Sequence, residues 1–88
     1  MTREGMDYEL TQHAENAVIR RKIRTEWLER ALAAPERIVV DPVDDTLEHR
    51  LVIIPEYGDR VLRVVVNRIT EPRRIVTLFF DRNMKGKL

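Results

Sequence analysis

The side chains best suited to acid–base chemistry on a phosphate are a histidine and two arginines in one predicted helix. His13 stands near the start of this helix, and Arg20 and Arg21 stand near its end. A neutral histidine removes protons near physiological pH, and arginine neutralises phosphate charge. The spacing from His13 to Arg20 is about two helical turns, so both lie on almost the same helix face. The alternative is that His13 only packs at the helix start through hydrogen bonds to the chain.

A second set of basic and polar side chains falls on the predicted strands and in the C-terminal tail. Alternation along the strands puts Arg50, Arg63 and Thr77 on the outer face of the sheet. The basic tail adds Arg82 and Lys85. We predict that Arg50, Thr77, Arg82 and Lys85, together with Arg20 of the helix, bind phosphate or RNA. Ordinary solvated surface charge is the alternative explanation.

The second histidine, His49, is predicted to point inward between apolar neighbours, as a core or edge residue with satisfied hydrogen bonds. The chain has no cysteine and only two histidines, so no thiolate site is possible and no transition-metal site is expected. It also lacks a glycine-rich phosphate loop and a nucleophile elbow. No cofactor is therefore expected.

Two helices and about four strands must position these residues. Helical spacing predicts a helix from Gln12 to about Lys22 with Thr11 as N-cap, and a second helix with Thr25 as N-cap that Pro35 ends. The rest of the chain reads as strands, which cover residues 37–41, 46–54, 61–67 and 74–81. Short connections favour an antiparallel meander. We predict an α+β fold with two N-terminal helices packed on a roughly four-stranded antiparallel sheet.

Strand alternation also predicts which side chains lie beneath the helices. The inward sets are Leu62, Val64 and Val66, then Val76, Leu78 and Phe80, and in the second strand Leu47, His49, Leu51 and Ile53. The outer face then retains Val65, Ile75 and Phe79. An exposed face this apolar usually has a partner, which predicts a symmetric homodimer. A half-solvated sheet covered by arginine stems is the alternative.

Length and composition indicate one small globular domain over residues 1–88, with residues 1–7 and 82–88 flexible. The net charge of +1 does not by itself indicate a nucleic-acid partner. The charges are unevenly distributed, however, because acids collect in residues 41–48 and bases in residues 20–24 and 73–87. No apolar signal-peptide core or membrane-length run is present, so we expect a cytoplasmic protein without a membrane partner.

Several short motifs together resemble a bacterial family named domain of unknown function 4258. They are Tyr8-x-Leu10-Thr11-x-His13-Ala14, Arg21-x-Ile23, the helix from Trp27 to Leu32, Leu62–Val66 and Ile75–Leu78. More distantly, the chain resembles BrnT-type toxins of the RelE-like ribonuclease class. This resemblance implies a metal-independent endoribonuclease that acts on RNA and has a cognate antitoxin as its partner.

The resemblance also implies roles for individual residues. It assigns the motif histidine to His13 and the catalytic arginines to Arg21 and Arg63. The family usually has a further arginine where this chain has Ala17, so either activity is weakened or Arg20 substitutes. Because the helices are expected to cover the other face of the sheet, His13 and the strand arginines are predicted to form separate clusters. A non-catalytic RNA- or protein-binding module and a structural dimerisation domain are the alternatives to a ribonuclease.

Overall fold

Residues 8–88, which the computed structural model describes, form two helices packed on a five-stranded mixed sheet. The strands are β1 (Tyr8–Leu10), β2 (Arg37–Val40), β3 (Leu47–Ile54), β4 (Arg60–Asn67) and β5 (Arg73–Phe80), and the helices are α1 (Gln12–Arg21) and α2 (Thr25–Ala33). Their order in the sheet is β1-β5-β4-β3-β2. The predicted α+β fold with two N-terminal helices is confirmed.

The prediction of about four strands, all antiparallel, is wrong because of β1. This strand precedes α1 and pairs in parallel with β5, at the edge of the sheet. Its three residues are too few for alternation to reveal a strand. The other four strands form the predicted antiparallel meander. The flexibility predicted for residues 1–7 lies outside the described residues.

Both ends of α1 are fixed by capping. The Thr11 hydroxyl accepts a hydrogen bond from the Ala14 amide at 3.1 Å and donates to the Val76 carbonyl at 2.9 Å, so the predicted N-cap is confirmed and also ties the helix to β5. At the other end Lys22 adopts a left-handed conformation with φ of 56°. The Ile23 amide then donates to the Val18 carbonyl at 3.0 Å. This C-terminal motif ends the helix at Arg21 and fixes its direction.

Helix α2 buries the predicted stripe against β3 and β4: Trp27, Leu28, Ala31 and Leu32. The N-cap prediction is wrong by one residue, because Arg24 takes that position and makes no side-chain cap, while Thr25 is the first helical residue.

No helix within residues 8–88 is long and apolar enough to span a membrane.

A register shift in β5 changes the predicted faces. Leu62, Val64 and Val66 of β4 are fully buried beneath the helices, as predicted. The pairing between β4 and β5 slips at Val65 and Val66, so that Val66 lies opposite Ile75. Ile75 is therefore part of the helix-side core, and its predicted place on the outer face is wrong.

In β3 the two faces are reversed relative to the prediction. Val52 lies directly opposite Leu62, and it belongs with Ile54 to the helix-side core. His49 therefore points to the open face of the sheet, the face without helices, and Arg50 points toward α2. The error arose because apolar residues occur on both sides of this strand, so alternation alone did not decide between the two faces.

The C-terminal residues, for which the sequence predicted flexibility, form a 3₁₀ turn at Arg82–Met84. The Asp81 carboxylate caps the turn by accepting from the Asn83 amide at 3.0 Å. The Asp81 amide donates to the Val61 carbonyl at 2.8 Å, which holds the start of the turn beside β4. Arg82 and the residues after it therefore lie beside the end of the sheet where β4 begins.

Candidate functional site

Four basic side chains and two aromatic rings meet in a pocket of about 570 Å³. The pocket lies at the end of the sheet where β4 begins and β5 ends. It is lined by Arg21, Tyr57, Arg60, Val61, Phe80, Asp81, Arg82 and Lys85. Arginine and lysine bind phosphate oxygens through charge-assisted hydrogen bonds, and aromatic rings stack on bases. We refer to this region as the basic pocket.

Three separate segments of the chain deliver the cations of the basic pocket. Arg21 is the last residue of α1, and its position follows from the C-terminal cap at Lys22. Arg60 begins β4, directly after the turn that joins β3 to β4. Arg82 and Lys85 come from the C-terminal 3₁₀ turn and the residue after it. The pocket therefore forms only when the whole domain is folded.

Tyr57 is the aromatic centre of the basic pocket. Its ring stacks on Trp27 with 5.3 Å between centroids, and it contacts Phe80 at 5.2 Å. The Arg60 guanidinium carbon lies 4.4 Å from the Tyr57 ring centroid. The tyrosine remains 39% exposed. A ring held by Trp27, Phe80 and Arg60 loses little conformational entropy when a ligand contacts its exposed part.

Glu56 fixes the short 3₁₀ helix Pro55–Tyr57 that carries this tyrosine. Its carboxylate accepts from both terminal nitrogens of Arg30, at 3.3 and 2.8 Å, and from Trp27 Nε1 at 3.1 Å. The bond from Arg30 is the main cause that lowers the pKa of Glu56 to about 2, with a smaller contribution from Trp27. The ionised carboxylate thus joins α2 to the wall of the basic pocket.

We expect part of the acid sensitivity of the domain to come from Glu56. Its pKa is lower in the folded protein than the ordinary value of 4.5, so its stabilising effect is present above that value and is lost as the pH falls toward about 2. Urea unfolding between about pH 5 and about pH 3 measures this. Glu56→Gln should lose less stability than the wild type over that interval. Equal losses in both proteins would contradict the assignment.

A chain of hydrogen bonds crosses the open face of the sheet and ends at the basic pocket. His49 Nε2 lies 2.7 Å from Asp41 Oδ1, and Arg63 Nη1 lies 2.8 Å from His49 Nδ1. Arg63 Nε donates to Asp81 Oδ2 at 2.8 Å, and Arg63 Nη2 lies 2.8 Å from the same oxygen. The chain links the end of β2 to the end of β5.

The hydrogen-bond roles along this chain follow from the arginine. A guanidinium only donates, so His49 Nδ1 accepts and Nε2 carries the proton that is donated to Asp41. Bonds from two backbone amides and from His49 lower the pKa of Asp41, the amide of Asp44 contributing most. Neither ring nitrogen of His49 is left free to act as a base. The chain therefore holds Asp81 and the sheet in place without supplying acid–base chemistry.

Three of the predicted site residues come together in the basic pocket. Arg21, Arg82 and Lys85 all line it, although the sequence assigned Arg21 to catalysis and the other two to phosphate binding. Arg63 does not line the pocket, but it is bonded to Asp81, which does. Arg60 was missed, and its position at the end of the turn formed by residues 55–59 is the signal that could have identified it.

Other predicted site residues lie elsewhere. His13 and Arg20 are exposed on α1 and do not line the pocket; His13 is about 12 Å from Arg21 along the helix axis. Thr77 lies on the open face opposite Val65. The predicted outer-face position of Arg50 is wrong, because its Nη1 donates a hydrogen bond of 2.7 Å to the carbonyl of Leu32 in α2. Its Nε donates to Glu48 at 2.6 Å.

Ala17 stands where the family usually has an arginine. Its side chain is only 2% exposed and lies in the core beneath α1. It does not line the basic pocket. The cations of the pocket come instead from Arg21, Arg60 and the C-terminal turn. The alanine therefore leaves the charge of the pocket unchanged.

Within residues 8–88, no three histidine, aspartate or glutamate side chains come together as a metal site would require. The acidic turn between β2 and β3 has its oxygens engaged locally. Asp41 Oδ2 accepts from the amides of Val43 and Asp44, and Asp44 Oδ1 accepts from the amide and hydroxyl of Thr46. These acids shape a turn at the opposite end of the strands from the basic pocket.

The fold and the pocket together define a small α+β domain that carries a basic, aromatic site at one end of a mixed sheet. The chain belongs to the family described as Domain of unknown function (DUF4258), whose model matches residues 10–80. This confirms the family predicted from the sequence motifs. The matched span contains Arg21, Tyr57 and Arg60, whereas Arg82 and Lys85 lie beyond it. Comparisons with curated proteins and with solved structures gave no match.

Proposed function

We propose that this domain binds single-stranded RNA through the basic pocket. The observation that carries the proposal is that four cations line one pocket together with a partly exposed tyrosine. Such a combination suits a polyanion with accessible bases, because the cations neutralise phosphates and the ring stacks on a base. Bases in a duplex are already stacked, so an aromatic pocket favours single strands.

The charge distribution determines which end of the sheet RNA is expected to contact. The acidic turn after β2 lies about 25 Å from the basic pocket, the length of one eight-residue strand. Over that distance the charges are well screened at physiological salt, so the small net charge does not oppose binding at the pocket. RNA is therefore expected to engage one end of the sheet and to avoid the other.

Binding of a fluorescently labelled single-stranded RNA to the wild-type protein tests the proposal. If three or four phosphates are neutralised, the logarithm of the affinity should fall with the logarithm of salt concentration with a slope of about −2 to −3. The same strand annealed to its complement should bind more weakly. No measurable binding at low salt, or affinity that salt does not change, would contradict RNA binding.

Metal-independent RNA cleavage of the BrnT and RelE toxin type is the second candidate function, with a cognate antitoxin as protein partner. In that reaction the ribose 2′-hydroxyl attacks the adjacent phosphorus, and cations stabilise the charge that develops on the phosphoryl oxygens. The clustered cations of the basic pocket favour it. The distance from His13 to the pocket does not, since a general base must reach the proton that it removes.

Incubation of RNA with the protein and a chelator tests cleavage. A toxin-type nuclease produces fragments under these conditions, and its induced expression arrests growth unless the antitoxin is present. His13→Ala should then lower the cleavage rate by about a hundredfold or more if His13 is the base, with folding checked by circular dichroism. Intact RNA would leave binding as the function; full activity of His13→Ala would exclude that residue as the base.

A further inference from the structure

The strand at one edge of the sheet, β2, exposes an apolar surface. In the described part of the chain its strand neighbour is β3, and its other side faces solvent. Ile38 and Val40 are 49% and 52% exposed, and Val39 is also exposed. Unpaired apolar edges of this kind are normally protected by charge, by proline or by pairing with another strand. Residues 37–41 thus form an open edge, which we call the β2 edge.

The backbone of the β2 edge has free hydrogen-bonding groups at defined positions. The Asp41 amide donates to the Leu47 carbonyl at 3.0 Å. In an antiparallel pair every second residue faces the partner strand, so Val39 and Arg37 also face β3. Ile38 and Val40 therefore direct their N–H and C=O groups away from the sheet. These two residues offer four backbone groups to an added strand.

The sequence of the β2 edge is complementary to itself when reversed. It reads Arg37-Ile38-Val39-Val40-Asp41. Antiparallel pairing of two copies about Val39 places Ile38 opposite Val40 and Arg37 opposite Asp41 of the second copy. Within residues 8–88, the Arg37 side chain makes no hydrogen bond or ion pair. The pairing would give it a carboxylate partner.

The backbone pattern is compatible with the register that the charges favour. In that alignment Ile38 and Val40, whose backbone groups point outward, become hydrogen-bonded pairs, and Val39 becomes the non-hydrogen-bonded pair on the two-fold axis. A register shifted by one residue would direct the outward groups of one copy at inward-facing residues of the other. Backbone geometry thus excludes shifts by one residue, and the Arg37–Asp41 charge pairing distinguishes the proposed alignment from shifts by two.

We propose that a second copy of this chain pairs antiparallel with the β2 edge, which forms a continuous ten-stranded sheet across a two-fold axis. Four backbone hydrogen bonds, the Ile38–Val40 contacts and two Arg37–Asp41 pairs hold the dimer together. The contact is short and lies at the weak end of the range for specific interfaces. The outer-face surface first predicted for dimerisation is less exposed than expected, because Val65 and Ile75 are buried and Phe79 is half-buried.

Disulfide trapping tests this register directly. The described chain has no free cysteine, and the sequence contains none, so Val39→Cys introduces a single thiol. Non-hydrogen-bonded pairs have Cα atoms about 4.5 Å apart, which lies within the range that a disulfide bridges. Val39→Cys should form a covalent dimer under mild oxidation at least about tenfold faster than Ile19→Cys, whose side chain is 75% exposed on α1.

Two further variants separate pairing from folding. Ile38→Pro removes an outward N–H that the monomer does not use, and Arg37→Glu places like charges opposite each other. Both should remain folded but sediment as monomers at concentrations near 100 µM, where the wild type should contain dimer. Equal trapping of Val39→Cys and Ile19→Cys, or a monomeric wild type at that concentration, would overturn the proposal. A monomeric wild type would instead indicate that the β2 edge pairs with a strand of a different protein.

Discussion

Replacement of Arg21, Arg82 and Lys85 by glutamine in one protein is expected to lower the affinity for single-stranded RNA by roughly a hundredfold or more. These three cations line the basic pocket from two separate segments of the chain. Each phosphate contact that is lost reduces the salt slope by about 0.7 for single strands, so the variant should show a slope shallower by about 2. Fluorescence anisotropy across a salt series measures both quantities.

The matched control removes the same charge elsewhere. Arg20, Arg74 and Lys87 are exposed and do not line the pocket. Their joint replacement by glutamine should change the affinity by only a few-fold through the general field of the protein. Similar losses in the two triple variants would show that RNA responds to net charge, and the assignment of the pocket would fail.

Arg63→Ala is expected to produce the largest loss of stability among the charged residues of the open face, about 1–3 kcal/mol. It removes the bonds to Asp81 and His49 and leaves the Asp81 carboxylate without its cation. The pair is mostly shielded from water, with side-chain exposures of 18% and 13%. A shielded carboxylate without its partner is costly because water does not fully replace the lost bonds. Urea unfolding measures the difference.

Two comparisons test whether the stability loss in Arg63→Ala comes from the shielded ion pair with Asp81. Arg74 also pairs with an acid, Glu9, but these side chains are 48% and 51% exposed. Arg74→Ala should therefore cost about 0.5 kcal/mol or less. Arg63→Met keeps most of the apolar stem and should lose nearly as much stability as Arg63→Ala. If Arg63→Ala were no worse than Arg74→Ala, the hydrogen-bond chain would not stabilise the sheet.

Both helices and four of the five strands were predictable from the sequence because their signals are local, whereas the three residues of β1 are too few to show alternation. The Thr11 cap, the buried stripe of α2 and the turn before β4 all depend on residues close together in the chain. The faces of β3 and β5 were not, because both depend on pairing with β4. Apolar residues on both sides of β3 leave its orientation to Val52 packing opposite Leu62, and the shift that buries Ile75 arises only in the sheet.

The site was only partly predictable for the same reason. Basic side chains identified Arg21, Arg82 and Lys85 as candidates, but residue type alone did not show that they converge. The direction of Arg21 depends on the left-handed cap at Lys22, and that of Lys85 on the C-terminal turn. Position along the chain placed His13 and Arg21 at opposite ends of α1, but it could not show that the pocket forms at the Arg21 end.

A titration of isotope-labelled protein with a short single-stranded RNA, followed by amide chemical shifts, tests the central proposal most directly. The proposal predicts the largest changes at Tyr57, Arg60, Asp81 and Arg82, and little change at Asp44 in the acidic turn. The changes should disappear in the pocket triple variant while the rest of its spectrum stays that of a folded protein. Largest changes on β2, at the start of α1 or in the acidic turn, or none at all, would contradict RNA binding at the basic pocket.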